Sequence, residues 1–159
     1  MTVFVTLTDV EKSWAKQWAT AIYDASTGKN LHDAKVDKSV DSLELDIIGF
    51  SGELAFAKMT NQFPVTNTDG PTHIDCVVNG KTVDVKTTHR EHGQLLVRPS
   101  HKDDPAEVYV LLTGTRDTGY TCKGHMYAED VFQPENLTDL GHGPTYAVPQ
   151  HRLKGGLPQ

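Results

Sequence analysis

The chain has 159 residues, of which 37% are hydrophobic and 23% are charged, and this predicts one globular domain over residues 1–159. It contains no run of 18 apolar residues, and residues 1–7 lack the basic region and cleavage site of a signal peptide, so we expect a soluble cytoplasmic protein without a membrane span. The formal net charge of −6 counts against proteins that bind nucleic acid through an overall surplus of Lys and Arg.

The first predicted element is a helix. Thr8 and Glu11 stand at the spacing of a capping box, and the helix is expected to end near Gly28. Its apolar residues recur every four positions, which predicts a single buried face made by Val10, Trp14, Trp18 and Ile22. Residues 29–40 are polar without periodicity and predict a loop.

A second helix is predicted from Asp41 to about Thr60. Asp41 and Glu44 indicate its start, and a buried stripe is expected from Leu45, Ile48, Gly52, Ala55 and Met59. Glu53 is the only charged residue between positions 47 and 57. Two interpretations are open for it: the carboxylate has a partner in the folded protein, or it lies at the solvent edge of the helix.

Residues 73–86 predict a β-hairpin, because Asn79-Gly80 lies between two runs of alternating β-branched residues. A two-residue turn at this position fixes the register, and four pairs are expected: Val78 with Lys81, Val77 with Thr82, Cys76 with Val83, and Asp75 with Asp84. Side chains alternate across a strand, so one face is predicted to be apolar and to carry Ile74, Cys76, Val78, Val83 and Val85. The other face carries His73, Asp75, Thr82, Asp84 and Lys86.

The opposed aspartates are the unusual feature of this hairpin. Like charges on opposed residues destabilise a sheet within the ~0.2–1 kcal/mol range of cross-strand effects, so we expect something to offset them. A divalent cation held between Asp75 and Asp84 would do so, and Lys86 would point at whatever that cation binds. The alternative is a solvated polar face that keeps a half-exposed hairpin soluble.

Three more strands are predicted, at residues 94–98, 107–113 and 120–127. The continuous apolar run of residues 108–112 is typical of a strand buried on both faces, so we expect it to be central. Residues 114–119 predict a turn. From Glu129 onward the chain holds four of its eight prolines and little periodicity, and we expect it to wrap the surface.

Asp75, eight intervening residues and the tripeptide Asp84-Val85-Lys86 resemble the signature of the PD-(D/E)XK nuclease superfamily. Ile74 stands where that signature has proline. The resemblance covers about residues 41–127 and implies the restriction-endonuclease-like core, an α/β (α+β) fold with a mixed β-sheet flanked by helices. That core usually has a helix between its third and fourth strands, but only nine residues separate Arg98 from Val108 here, room for a turn or two.

The resemblance also implies roles for individual residues. Asp75 and Asp84, helped by Glu53 and the backbone carbonyl of Val85, would hold one or two Mg²⁺ or Mn²⁺ ions. Lys86 would orient or deprotonate the attacking water, or stabilise the charge that develops on the phosphate. The implied function is a Mg²⁺-dependent deoxyribonuclease, in the first place a small endonuclease that leaves 5′-phosphate and 3′-hydroxyl ends.

Other functions within and outside this class stay open. A Holliday-junction resolvase or an exonuclease of the same superfamily is one alternative, although the glutamine motif of some exonuclease branches is absent at its usual distance after Lys86. A nuclease-like module that binds nucleic acid or protein without catalysis is the other. Such modules tend to lose an acid or the lysine, whereas this chain has all four groups. A homodimer is compatible with each of these functions.

Positive charge is concentrated around the motif. Residues 81–102 hold five Lys and Arg against two acids. The residues predicted to contact DNA phosphates are Arg90, Arg98, His101 and Lys102, and the alternative is that they are merely exposed basic residues at a strand end. A structural zinc site is not expected, because the cysteines and histidines lack zinc-ligand spacing.

Overall fold

The computed structural model describes residues 3–28, 42–64 and 74–159. The elements in chain order are β1 (Val3–Val5), α1 (Asp9–Gly28), α2 (Ser42–Met59), β2 (Cys76–Val78), β3 (Lys81–Thr88), β4 (Leu95–Val97), β5 (Val108–Thr115), β6 (Gly119–Tyr127), α3 (Ala128–Val131), β7 (Leu137–Asp139) and β8 (Pro144–Val148). The expected loop at 29–40, the predicted helix start at Asp41 and the hairpin residue His73 lie outside the described residues.

The main sheet has five strands in the order β1-β6-β5-β3-β2. β3 and β5 are parallel, and the other neighbours are antiparallel, so the sheet is mixed. β5 lies between β6 and β3, and the prediction of a central strand is confirmed. The α+β class is confirmed with it, because helices α1 and α2 lie against this sheet.

Successive residues of β5 point into two different hydrophobic cores, since side chains alternate along a strand. Val108, Val110 and Leu112 belong to the core shared with α1 and α2. Tyr109 and Leu111 belong to a second core on the opposite face of the sheet. The molecule therefore has three layers: helices, the main sheet, and the elements that cover the second core.

The capping box of α1 is present as predicted. The backbone N–H of Glu11 donates to Thr8 Oγ1 at 3.1 Å, and the N–H of Thr8 donates to Glu11 Oε1 at 2.9 Å. Trp14 and Trp18 pack against the first core, but Val10 is 79% exposed, so its predicted place on the buried face is wrong. Packing of this helix against the core begins only at Trp14, one turn after Val10.

Helix α2 is buried around most of its circumference in its second half, since every residue from Leu54 to Ala57 is buried. Gly52 and Ala55 of the predicted stripe are buried, whereas Leu45 is 37% exposed and was wrongly assigned to it. Gly52 lies directly against β3, where an added Cβ would overlap the Thr87 hydroxyl. This close approach brings the next residue, Glu53, to the neighbourhood of β3.

The C-terminal region is more ordered than the sequence suggests, and the prediction that it only wraps the surface is wrong. β8 pairs with β4 and β7 to form a second, three-stranded sheet in the order β4-β8-β7. Tyr146 and Val148 of β8 are buried in the second core together with Val131 of α3. Prolines did not exclude these strands because Pro144 opens β8, a position where no ladder hydrogen bond is lost.

The segment between Arg98 and Val108, where a restriction-endonuclease-like core would have a helix, contains no α-helix. The nine-residue connection holds a single 3₁₀ turn, Pro99–Asp103, as its length predicted. Among the described residues, no helix is both long and apolar enough to cross a membrane.

Candidate active site

The hairpin β2–β3 has the predicted register in three of its four expected pairs, but the fourth pair, Asp75 with Asp84, is not formed. Asn79 (φ 50°) and Gly80 (φ 78°) both adopt positive φ at the turn, as a type I′ turn requires. The three pairs Val78 with Lys81, Val77 with Thr82 and Cys76 with Val83 are all present. Pairing between the two strands then stops at Cys76.

Asp75 marks the place where the two strands separate. Its backbone N–H donates to the Val83 carbonyl at 2.8 Å, and its side-chain Oδ2 accepts the N–H of Val85 at 2.7 Å. The carboxylate thus takes the position that a backbone carbonyl would hold in a continued ladder. Because alternation ends here, Ile74 packs against the second core, and its predicted place beside Cys76 is wrong.

From Asp84 onward this side of β3 is not paired with β2, and among the residues that the structure describes no other strand pairs with it; we call this side the open edge of β3. The N–H and C=O of one strand residue point to the same side. The Val85 carbonyl is therefore directed, like its N–H, toward Asp75 and the open edge.

Asp84 is buried, with 3% of its surface exposed, and it has two neighbours of positive or potentially positive charge. Lys86 Nζ lies 2.9 Å from Asp84 Oδ1 and donates to Oδ2 at 3.0 Å. His101 Nδ1 lies 3.2 Å from the same Oδ2. The prediction that Asp84 and Lys86 share one face of β3 is confirmed, and His101 joins them from the 3₁₀ turn.

Glu53 reaches the same place from α2. Burial and the negative charges of Asp75 and Asp84 raise the pKa of Glu53 well above its usual range. Burial, followed by the charge of Asp84, raises the pKa of Asp75 to about 7. The hydrogen bond between the two carboxyls opposes ionisation of Glu53 and favours that of Asp75, so Glu53 is the protonated, donating partner. The interpretation of Glu53 as a carboxylate with a partner is the one that the structure bears out.

Glu53, Asp75 and Asp84, with the neighbouring Lys86 and His101, are called the carboxyl cluster below. Cys76 lies next to this cluster, on the side of the first core. Burial and the charges of Asp75 and Glu53 raise the pKa of its thiol to about 12. A thiol is a nucleophile only as the thiolate, so Cys76 behaves as a small buried hydrophobe, as its position in the strand predicted.

The carboxyl groups fit a divalent cation in chemistry but not yet in arrangement. Glu53, Asp75, Asp84 and the Val85 carbonyl offer only oxygen donors, which Mg²⁺ prefers. As the side chains stand in the described part of the chain, however, no group of three or more His, Cys, Asp or Glu residues could hold a metal ion. Asp75 is engaged by Val85 and Asp84 by Lys86, so these contacts would have to loosen for the oxygens to share one ion.

The residues predicted to contact phosphates divide into two groups. Arg90, Arg98 and Lys102 are exposed around the connection between β3 and β5. His101 is buried against Asp84, with only 9% of its surface exposed, and is therefore part of the carboxyl cluster and not of the exposed basic surface.

One positioning contact had no signal in the sequence. Gln150, from the C-terminal region, donates its Nε2 to the carbonyls of Glu91 at 2.8 Å and Gly93 at 2.9 Å. It thereby fixes the loop that carries Arg90 next to the end of β3. A single Gln in an irregular segment carries no pattern from which this contact could be predicted.

Comparisons with known proteins returned no matching family model, no matching curated protein and no matching solved structure. The functional argument for this chain therefore rests on its own residues.

Proposed function

We propose that this protein is a Mg²⁺-dependent deoxyribonuclease of the PD-(D/E)XK type, most simply an endonuclease. The observation that carries the proposal is the convergence of three carboxyl groups and a lysine at the open edge of β3. The fold brings together residues of separate elements: Glu53 of α2, Asp75 immediately before β2, and Asp84 and Lys86 of β3. A raised carboxyl pKa beside a specific charge partner is typical of functional sites.

The unfavourable electrostatic free energy of this carboxyl cluster supports a role in binding a cation. Three acids packed together repel one another, and burial disfavours their charged forms, as the raised pKa values of Glu53 and Asp75 express. A fold under no functional constraint would place such groups apart. Glu53, Asp75, Asp84 and the Val85 carbonyl would hold the cation, which when bound supplies positive charge to the scissile phosphate.

Lys86 is the group of this chain that would act on the attacking water. Its side chain is 27% exposed, so the ammonium group can turn from Asp84 toward solvent. There it would orient the water, or stabilise the negative charge that develops on the phosphate. Arg98 directly precedes the turn that carries His101, Lys102 belongs to that turn and Arg90 follows the end of β3, and the charges of these exposed residues would bind the DNA backbone.

The test is incubation of the purified protein with Mg²⁺ or Mn²⁺ and linear, circular, single-stranded and branched DNAs. We expect metal-dependent cleavage that EDTA abolishes and that is lost in Asp84→Asn. The exposed His142→Leu variant, at the β7–β8 turn, is the control and should cleave like the wild type. A wild-type protein that cleaves none of these DNAs, or an Asp84→Asn variant of full activity, would overturn the proposal.

A non-catalytic DNA-binding module is the second candidate. It is favoured by the side-chain arrangement, in which Lys86 is paired with Asp84 and no metal-binding group stands ready in the described residues. The same DNA panel separates the two candidates, because a module of this kind would shift DNA in a gel without cutting it. Branched DNA cut in preference to duplex would indicate a junction resolvase, and product ladders from DNA ends an exonuclease. The homodimer stays a prediction.

A further inference from the structure

His101 is the one group of the carboxyl cluster to which the proposed function gives no task. It lies on the Pro99–Asp103 turn, in the connection between β4 and β5. Its backbone N–H donates to the Arg98 carbonyl at 3.1 Å, and its ring lies 6.5 Å from the ring of the buried Tyr109. These contacts hold the imidazole in place beside Asp84.

The two neighbours of Asp84 differ in mobility. Lys86 has a flexible four-carbon stem and a side chain that is 27% exposed. The His101 side chain is only 11% exposed and has two rotatable bonds. Lys86 can therefore leave Asp84 with little rearrangement, whereas His101 cannot move without displacing its turn.

A buried carboxylate that loses its only charge partner is strongly unfavourable, and it would rotate or take up a proton. Asp84 faces this situation when Lys86 has turned away and no cation is yet bound. His101, a second neighbour at Oδ2 with little freedom to move, prevents this, because Asp84 keeps its contact with His101 when Lys86 leaves.

We propose that His101 is a positioning residue for Asp84: it keeps this carboxylate directed at the open edge of β3 while the Lys86 ammonium group serves the substrate. The inference rests on the proposed function, in which Asp84 holds the cation. In this role Nδ1 of the His101 ring faces Asp84 Oδ2, 3.2 Å away, and Oδ1 is left for the cation. Residues that orient a metal ligand in this way typically contribute 10–100-fold to metal affinity or activity.

Two variants and one control test the inference. His101→Leu removes the nitrogen, His101→Asn keeps an amide nitrogen near the position of Nδ1, and His142→Leu changes an exposed histidine outside the cluster. Calorimetric titration with MgCl₂ alone, without DNA, should show Mg²⁺ binding weakened about 10–100-fold in His101→Leu, largely restored in His101→Asn and unchanged in the control. Wild-type affinity in His101→Leu would overturn the inference.

Steady-state cleavage separates positioning from DNA binding. His101→Leu should lower kcat about 10–100-fold with KM for DNA nearly unchanged, since the exposed residues proposed to bind DNA, Arg90, Arg98 and Lys102, are all retained. A raised KM with unchanged kcat would instead make His101 a direct DNA contact, as the sequence first suggested, and would overturn the positioning role.

The wild-type protein gives a test that needs no variant to fold. ¹⁵N NMR of the His101 imidazole should show a proton on Nδ1, the nitrogen that faces Asp84; a proton on Nε2 alone would overturn the inference. If the wild type cleaves DNA and His101→Leu changes neither cleavage nor Mg²⁺ binding, the positioning role is wrong and the proposed nuclease function still stands. If the wild type does not bind Mg²⁺, both the positioning role of His101 and the proposed nuclease function are wrong.

Discussion

Asp75 combines a backbone task with an electrostatic one. Its carboxylate completes the hydrogen bonding of Val85, yet it stands beside Glu53 and Asp84 in surroundings that disfavour its charge. The same side chain thus both ends the β2–β3 ladder and creates the demand for a cation.

The pH dependence of stability should report this conflict. The pKa of Asp75 is about 7 in the folded protein, against 3.8 for an unperturbed aspartate, so the folded state holds the proton more tightly than the unfolded chain. The contribution of Asp75 to the stability of the metal-free protein should therefore be greatest below about pH 4 and be lost as the pH rises from about 4 to about 7. Glu53, whose pKa is also raised, contributes in the same direction.

Melting temperatures measured in EDTA across this pH range check the prediction, and Asp75→Asn should flatten the profile. Added Mg²⁺ should raise the melting temperature more at pH 8 than at pH 5, because cation binding requires ionised ligands. A metal-free wild type that gains stability with rising pH over the same interval would contradict it.

Lys86 should be separable from the cation ligands. Lys86→Met keeps all the oxygen donors, so Mg²⁺ should still raise the melting temperature, while cleavage should fall by roughly 10²–10⁴. The exposed Lys16→Met in α1 is the control and should leave both properties unchanged. Equal cleavage by Lys86→Met and the control would mean that the lysine is only the partner of Asp84.

The residues of the site were predictable from sequence to different degrees. Asp75, Asp84 and Lys86 lie in a hairpin whose turn fixes the register, and Glu53 stands out as a lone charge. His101 was assigned to the exposed surface because a five-residue turn has no periodicity that would show which of its side chains points inward. Its contact with Asp84 exists only once β4 and β5 are in place.

At the scale of elements, the distance between α2 and β3 controls where Glu53 lies. Gly52→Ala should push the helix from the strand, because the new Cβ would overlap the Thr87 hydroxyl and lie 2.9 Å from Thr87 Cβ. Overpacking of this kind typically costs about 1–3 kcal/mol. We expect this loss in urea unfolding, together with reduced cleavage as Glu53 is displaced.

Gly49 in the same helix offers a matched control, since an added Cβ there meets nothing within 4 Å. Gly49→Ala should leave the protein equally stable or more stable by up to about 1 kcal/mol, because alanine favours the helix. If Gly52→Ala and Gly49→Ala behave alike, close packing of α2 on β3 does not set the position of Glu53.

Elements with a strong local signal were predicted, and those that depend on distant partners were not. The capping box fixes the start of α1, and the apolar run of β5 marks a central strand, since both patterns are local. β7 is three residues long with every side chain exposed, and β8 alternates over only five residues. β8 pairs with the distant β4, as in the pair Leu95 and Val148, and β7 pairs with β8. These pairings supply the stability that the sequences of β7 and β8 do not indicate.

At the scale of the whole molecule, the proposed DNA binding would require a local basic surface, because the protein as a whole is acidic. With a net charge of −6, distant charges repel DNA, and the exposed basic residues near the site would have to supply the attraction. Replacing Arg98 and Lys102 together with alanine should weaken DNA binding and reduce the slope of log affinity against log salt by about one unit per lost phosphate contact.

Fluorescence anisotropy over a range of KCl concentrations measures this slope, best in the Asp84→Asn background so that the DNA stays intact. Lys16→Ala removes a positive charge from the exposed side of α1 and should change the slope little. An unaltered affinity in the double variant would exclude Arg98 and Lys102 from the DNA-binding surface.

The position of β5 between the two hydrophobic cores also determines how cooperatively the protein unfolds. Val110 is anchored among the helices and Leu111 among the elements of the opposite layer, so neither layer can open without loosening the strand that both share. We therefore expect one cooperative unit, in which the amides of Val110 and Leu111 exchange with deuterium only through global unfolding. Measured protection at both amides should equal the free energy of unfolding, and partial opening should be confined to segments outside β3 and β5. Enzymatic activity and cooperative folding would then be lost at the same denaturant concentration, because the carboxyl cluster spans the boundary that holds the two layers together.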